Sequence, residues 1–130
     1  MMDTKALIQE TLDLRQKAYA IYSNFHVGAI LVTEDDQKYK GVNIEISSYG
    51  LTICAERLAV FKARADGIEK FKAIFIASDS EKITSPCGAC RQVLWELAGD
   101  IDVFMINRHG EYKKMKMSQL LPVGFDRSFL

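Results

Sequence analysis

The three cysteines of this 130-residue chain are spaced as ligands of a metal ion. Cys54 stands alone, and Cys87 and Cys90 come later within Pro86-Cys87-Gly88-Ala89-Cys90. Three thiolates leave a tetrahedral zinc with one open position, which separates a catalytic site from a closed structural one. Glu56 follows Cys54 by two residues and supplies a carboxylate that can move protons to and from a water at that position. The chain therefore reads as a zinc hydrolase. A closed structural zinc would need a fourth ligand; no fourth cysteine exists, so His26 or His109 would have to fold back. Alone, C-x-x-C also suits a redox motif, but C-x-E followed by P-C-x-x-C is far more specific.

The charges near the metal matter. Three thiolates around a dication leave net negative charge, which weakens the metal as a Lewis acid. Thiolates at helix N-termini meet free N–H groups and the positive end of the dipole, which offset that charge. Arg57 and Arg91 each adjoin a ligand or its neighbour and offer hydrogen bonds to sulfur, and the sequence does not say which one does so.

Several elements must position these groups. Apolar residues at 7, 8, 12, 14, 18 and 19, with Thr11 among them, follow the helical period and predict a helix over 4–19. Residues 26–32 and 38–44 predict a hairpin around Thr33-Glu34-Asp35-Asp36. A second helix is predicted over 52–66, capped by Thr52 and stopped by Gly67. This places Cys54 in its first turn. Residues 71–77 read as a buried strand and 79–85 as a loop. Pro86 is expected to open a third helix ending near Gly99, with Cys87 and Cys90 in its first turn. Strands over 101–106 and 112–117 follow, then one helical turn from Ser118. Helices alternating with strands predict an α/β fold, a three-layer α-β-α arrangement around a central mixed β-sheet. The length suits one domain over 1–130.

Composition narrows the partners. Hydrophobic residues make up 48% and charged residues 26%, and 17 basic residues balance 17 acidic ones. This charge balance fits a small neutral substrate better than a polynucleotide. No apolar run approaches the roughly 18 residues of a membrane span, and the N-terminus lacks a signal-peptide layout. Reduced thiolates agree with a cytoplasmic protein.

The chain resembles the small three-cysteine, homotetrameric-type zinc cytidine deaminases. The resemblance rests on Tyr22-Ser23-Asn24-Phe25-His26-Val27-Gly28-Ala29, Gly41-Val42-Asn43-Ile44-Glu45, Thr52-Ile53-Cys54-Ala55-Glu56-Arg57 and Ser85-Pro86-Cys87-Gly88-Ala89-Cys90-Arg91-Gln92-Val93-Leu94, in that order. It implies a cytidine deaminase-like fold and hydrolysis of cytidine and 2′-deoxycytidine to uridine or deoxyuridine plus ammonia, in pyrimidine salvage. It implies one zinc per subunit on Cys54, Cys87 and Cys90, Glu56 as proton shuttle, and Arg57 behind the ligands. It also implies that Asn43 and Glu45 hold sugar hydroxyls, that Phe25 packs on the base, and that the backbone at Ala55 and near Ser85 reads the base's polar edge. Within a homotetramer, Tyr49 and Phe125 would complete a neighbour's pocket. Physically, Asn43 and Glu45 alternate on one strand face, where an amide and a carboxylate suit hydroxyl groups. By themselves those two residues equally fit a solvated strand face, and Phe25, Tyr49 and Phe125 equally fit apolar packing. Ile46 and Ser47 follow Glu45 where the family often has Asn and Ala. Ile21 stands where proline is common, and the ending reads Leu121-Pro122-Val123-Gly124-Phe125.

Two rival readings remain open. One is a deaminase of a modified cytosine nucleoside such as blasticidin S, of a free base, or of a polynucleotide. The other is a non-catalytic, zinc-stabilised binding module.

Overall fold

The structure, a computed structural model, describes residues 2–130. Asp3 starts the first helix, α1 (Thr4–Leu14), by accepting the Ala6 N–H at 3.1 Å. Strands β1 (Val27–Thr33) and β2 (Lys38–Val42) form the expected hairpin. Helix α2 spans Ala55–Ala65, strand β3 Phe71–Ser78 and helix α3 Gly88–Ala98. Strands β4 (Asp102–Ile106) and β5 (Tyr112–Lys116) and the short helix α4 (Met117–Leu120) complete the fold.

The strands lie in the order β2-β1-β3-β4-β5. Strand β1 is antiparallel to both β2 and β3, β3 is parallel to β4, and β4 is antiparallel to β5. The parallel pair requires a crossover, and α3 supplies it. Alternation along the strands builds two cores. Ala29, Leu31, Ile74, Ile76, Val103 and Met105 pack toward α2 and α3 against Ala59, Ala63 and Leu94. Ile30, Val32, Phe75, Phe104 and Ile106 pack toward α1 against Leu7 and Leu14. Phe75 and Phe104 stack with ring centroids 4.2 Å apart. The predicted three-layer arrangement with a mixed sheet is what the chain adopts.

Several boundaries differ from the sequence expectation, most by a residue or two, as where α3 starts at Gly88 rather than Pro86; four have a tertiary reason. Helix α1 stops at Leu14 and one 3₁₀ turn follows, although the apolar period continues to Tyr19. There the chain extends instead, because the Tyr19 N–H donates to Asn43 O at 2.9 Å and Tyr19 O accepts the Glu45 N–H at 2.9 Å. Strand β2 ends at Val42 rather than Ile44. From Asn43 on, the segment lies between Tyr19 and Ile53, with Ile44 and Ile53 exchanging two backbone hydrogen bonds of 3.1 Å. Helix α2 starts three residues later than expected, because the Thr52 hydroxyl accepts the Ile46 N–H at 3.1 Å instead of capping a helix. Strand β5 ends one residue early, and Met117 is instead buried as the first residue of α4.

Gly41 sets how closely α2 approaches the sheet. A Cβ there would lie 2.2 Å from Ala55 O and 2.7 Å from Ala59 N. The helix that follows Cys54 is thus seated on bare backbone of β2. Gly41→Ala should destabilise the fold by about 1–3 kcal/mol or more, because the obstruction is main chain and cannot swing aside. A lowered urea midpoint checks this; an unchanged midpoint would show that α2 shifts freely.

Candidate metal centre and substrate cleft

Two helix beginnings converge on the cysteines. Cys54 is the N-cap of α2 and Cys87 the N-cap of α3, while Cys90 lies in the first turn of α3. The expectation had placed Cys54 and Cys87 inside their helices. As caps they sit one step further out, where the free N–H groups point. The N-cap and the third helical residue are neighbours in space, which brings the Cys87 and Cys90 sulfurs together. Packing of α2 against α3 then brings Cys54 to the same point.

The three sulfurs lie within 4.8 Å of one another. Tetrahedral zinc with bonds of about 2.3 Å needs sulfurs about 3.8 Å apart, so modest closing suffices. No histidine joins them among the described residues. His26 Nδ1 is 2.7 Å from Asp79 Oδ2, and His109 borders a separate cleft beside Gln9 and Leu12. A closed four-ligand knot is therefore not assembled, and the donor set keeps the open position of a catalytic zinc.

Electrostatics favour a cation here. The Cys90 thiol hydrogen-bonds to Cys54 and, with the Arg57 guanidinium, lowers the Cys54 pKa to about 5 against the cost of burial. Cys90 is pushed far upward by donating to Cys54, by burial, and by the negative charge of Glu56 and Cys54. Charge thus collects on one sulfur, and three thiolates coexist only around a positive ion. Arg57 Nη2 donates to Cys54 Sγ at 3.3 Å, and its buried Nε has no partner. Thiolates bound to a dication supply the acceptors that such a donor lacks.

Arg91 does not join Arg57 in this. Its Nε donates to Pro86 O at 2.8 Å, Nη1 to Leu120 O at 2.8 Å and Nη2 to Ser85 Oγ at 2.6 Å. It ties the approach to the cysteine pair onto α4. Of the two arginines the sequence left open, only Arg57 reaches sulfur.

Glu56 is 5% exposed, in the first turn of α2. Burial, with the nearby charge of Cys54, raises its carboxyl to about 7, against a hydrogen bond from its own backbone N–H. A carboxyl poised near neutrality suits a group that must both take and give a proton.

Of the other expected site residues, some converge and some stay apart. Asn43 and Glu45 are both buried, on the segment that runs beside Ile53 just before Cys54. Ala55 is fully buried at the start of α2. Ser85 lies on the loop before Cys87, its hydroxyl engaged by Arg91. Phe25 is partly exposed beside Asn43, whose Nδ2 donates to Phe25 O at 2.8 Å. Tyr49 is 73% exposed and meets Tyr22 edge-on at 5.7 Å. Phe125 is 55% exposed and stacks on Phe129 at 5.5 Å, while its carbonyl accepts from Gln92. A groove of about 940 Å³ beside Trp95 and Asp126 holds none of the cysteines and not Glu56.

The family model described as "cytidine and deoxycytidylate deaminase zinc-binding region" matches residues 1–106. The chain belongs to that family. A cytidine deaminase of Sporosarcina psychrophila is 45% identical over 130 residues, covering 99% of this chain and 96% of the relative. A cytidine deaminase of Halalkalibacterium halodurans is 45% identical over 125 residues, covering 95% of each. The crystal structure of cytidine deaminase from Burkholderia pseudomallei superposes with a TM-score of 0.91 at 44% identity, covering 95% of this chain and all of that one. In this family zinc is the cofactor, and the three sulfurs form a group able to hold it.

Sequence reasoning missed how the Tyr22–Val27 loop is held and what Arg91 does. Ser23 and Asn24, two residues favoured in turns, carried the local signal for the loop, and Asn24 takes a positive φ of 57° there. Cys90→Ser should abolish stoichiometric zinc binding, while Arg57→Ala should weaken zinc retention by about 10–100-fold. Metal analysis and competition with a chromophoric chelator measure both; full retention in Cys90→Ser would exclude the three-sulfur site.

Proposed function

We propose that the chain catalyses hydrolytic deamination of cytidine and 2′-deoxycytidine, giving uridine or deoxyuridine and ammonia. The observation that carries this reading is a buried glutamate beside three converging sulfurs at two helix N-termini. Its full-length likeness to cytidine deaminases supports the choice of substrate. Cys54, Cys87 and Cys90 are the zinc ligands in this reading, with residues 1–130 acting as one catalytic domain. Zinc bound there lowers the pKa of a water at its open position.

Glu56 takes a proton from the attacking water, whose oxygen bonds to C4 of the pyrimidine. The carboxyl delivers that proton to ring N3, then carries the proton of the new C4 hydroxyl to the leaving amine. The C4–N bond breaks, ammonia departs, and the carbonyl of uracil remains. The raised Glu56 pKa places both protonation states within reach near neutrality. Arg57 withdraws charge from Cys54 and so keeps the ligand set from quenching the metal's acidity. Asn43 and Glu45 take sugar hydroxyls, Phe25 stacks on the base, and the backbone at Ala55 and Ser85 faces its polar edge.

We further read the protein as a cytoplasmic homotetramer of pyrimidine salvage. Tyr49, Leu51 and Phe125 are 73%, 72% and 55% exposed, large apolar surface that a neighbour would cover. Tyr49 and Phe125 then complete a partner's pocket. The cysteines are free thiols, and among the described residues no helix is long and apolar enough to cross a membrane.

Glu56→Ala should retain zinc and lose turnover of cytidine by about 10²–10⁴-fold, followed by ultraviolet absorbance. Wild-type rates in that variant would overturn the shuttle role. Cytidine should be turned over at least about tenfold more efficiently than blasticidin S or free cytosine, because the latter offers no sugar hydroxyl to the remaining bonding capacity of Asn43 and Glu45. Preference for blasticidin S would favour a modified-nucleoside deaminase, and no ammonia from any cytosine compound would favour a binding module.

A further inference from the structure

The stretch from Tyr22 to His26 has no helix or strand of its own and leads into β1 at Val27, yet each backbone N–H from Tyr22 to Val27 has a partner. Glu45 Oε1 accepts from the Tyr22 N–H at 2.9 Å and the Ser23 N–H at 3.0 Å. The Asn24 N–H reaches Ala20 O at 2.8 Å, and the His26 N–H reaches Asp79 Oδ2 at 2.7 Å. Asn43 closes the far end, with Oδ1 accepting the Val27 N–H at 2.9 Å and Nδ2 donating to Phe25 O. The Phe25 N–H turns to Ser23 Oγ at 3.0 Å, and that same hydroxyl donates to Glu45 Oε2. The side chains read as gripping the sugar are therefore also those that fold the loop carrying the base-stacking ring.

Acceptor capacity limits what remains for a ligand. An ionised carboxylate accepts about four hydrogen bonds. Three donors already occupy Glu45, which leaves room for a single hydroxyl on Oε2. Asn43 keeps one free N–H and one free lone pair by the same count. The sugar hydroxyl and the Ser23 hydroxyl thus share one carboxylate oxygen, and Ser23 is the sole side chain bonded to both Glu45 and the Phe25 backbone among the described residues.

We propose that Ser23 is a positioning residue for the reaction: its hydroxyl couples the sugar-binding carboxylate of Glu45 to the base-stacking ring of Phe25. The inference rests on the reading of Glu45 and Phe25 given above. Without Oγ, the Phe25 N–H loses its acceptor and Oε2 loses one of its orienting donors. Sugar recognition and base stacking then cease to be set by one geometry. The metal centre is untouched, so the loss falls on binding rather than on chemistry.

The test measures cytidine kinetics and zinc content for Ser23→Ala, Ser23→Thr, Ser23→Cys, Glu45→Gln and the Ser23→Ala/Glu45→Gln pair. Ser23→Ala should raise KM by about tenfold with kcat within about twofold and zinc unchanged. Ser23→Thr, which keeps the hydroxyl, should restore KM to within about threefold, and Ser23→Cys should fall between. The double variant should be less impaired than the product of the single effects. An unchanged KM in Ser23→Ala or Ser23→Cys, or fully multiplicative effects in the pair, overturns the coupling while a raised KM in Glu45→Gln leaves the sugar-site reading standing. An unchanged KM in Glu45→Gln removes that reading and this inference with it. Should Ser23→Ala fail to fold, the Ser23→Cys and Ser23→Thr pair decides alone.

Discussion

Negative charge held among three sulfurs is the constraint on which the rest of the structure depends. Thiolates a few ångströms apart repel one another, and burial makes the repulsion worse. The fold answers by aiming two helix N-termini and one arginine at the cluster, and it leaves a place for a dication. The mixed sheet serves this arrangement. Strand β3 runs parallel to β4, and the crossover between them is the helix whose start carries Cys87 and Cys90. Helix α2 packs beside it on the same face of the sheet, seated on β2 at Gly41.

A second constraint is the backbone of the Tyr22–Val27 loop. An irregular segment beside a binding cleft must find partners for its amides without using ladder bonds. Here the partners are Glu45, Asn43, Ser23 and Asp79. Glu45 is held ionised mainly by the Ser23 hydroxyl and backbone amide. Asp79 is desolvated, yet hydrogen bonds from His26 and the charge of Arg15 keep its carboxyl below the usual range. The loop is thus held by the same side chains that the proposed function assigns to the sugar, so in that reading recognition and folding share a set of contacts.

Much of the site could be read from residue types and spacing. Cys54, Cys87, Cys90 and Glu56 come together as expected, because ligand spacing at helix starts survives small errors in where the helices begin. The helix over 4–19 did not survive, since nothing local reveals that Tyr19 will pair with Asn43 and Glu45. The Thr52 cap failed for the same kind of reason: its hydroxyl is claimed by the Ile46 amide. Arg57 and Arg91 look alike in sequence, and only the packed structure sends one to sulfur and the other to the carbonyls of Pro86 and Leu120.

The sequence by itself determined the donor set, the nearby acid and the layered architecture, because those depend on residue chemistry and on periodic patterns along the chain. The tertiary structure decided that Cys54 and Cys87 act as caps, which arginine serves the metal site, and that Ser23 links Glu45 to Phe25. Those outcomes depend on hydrogen-bond competition between segments far apart in the chain. A donor's choice among several acceptors is fixed only when all of them are brought within about 3 Å.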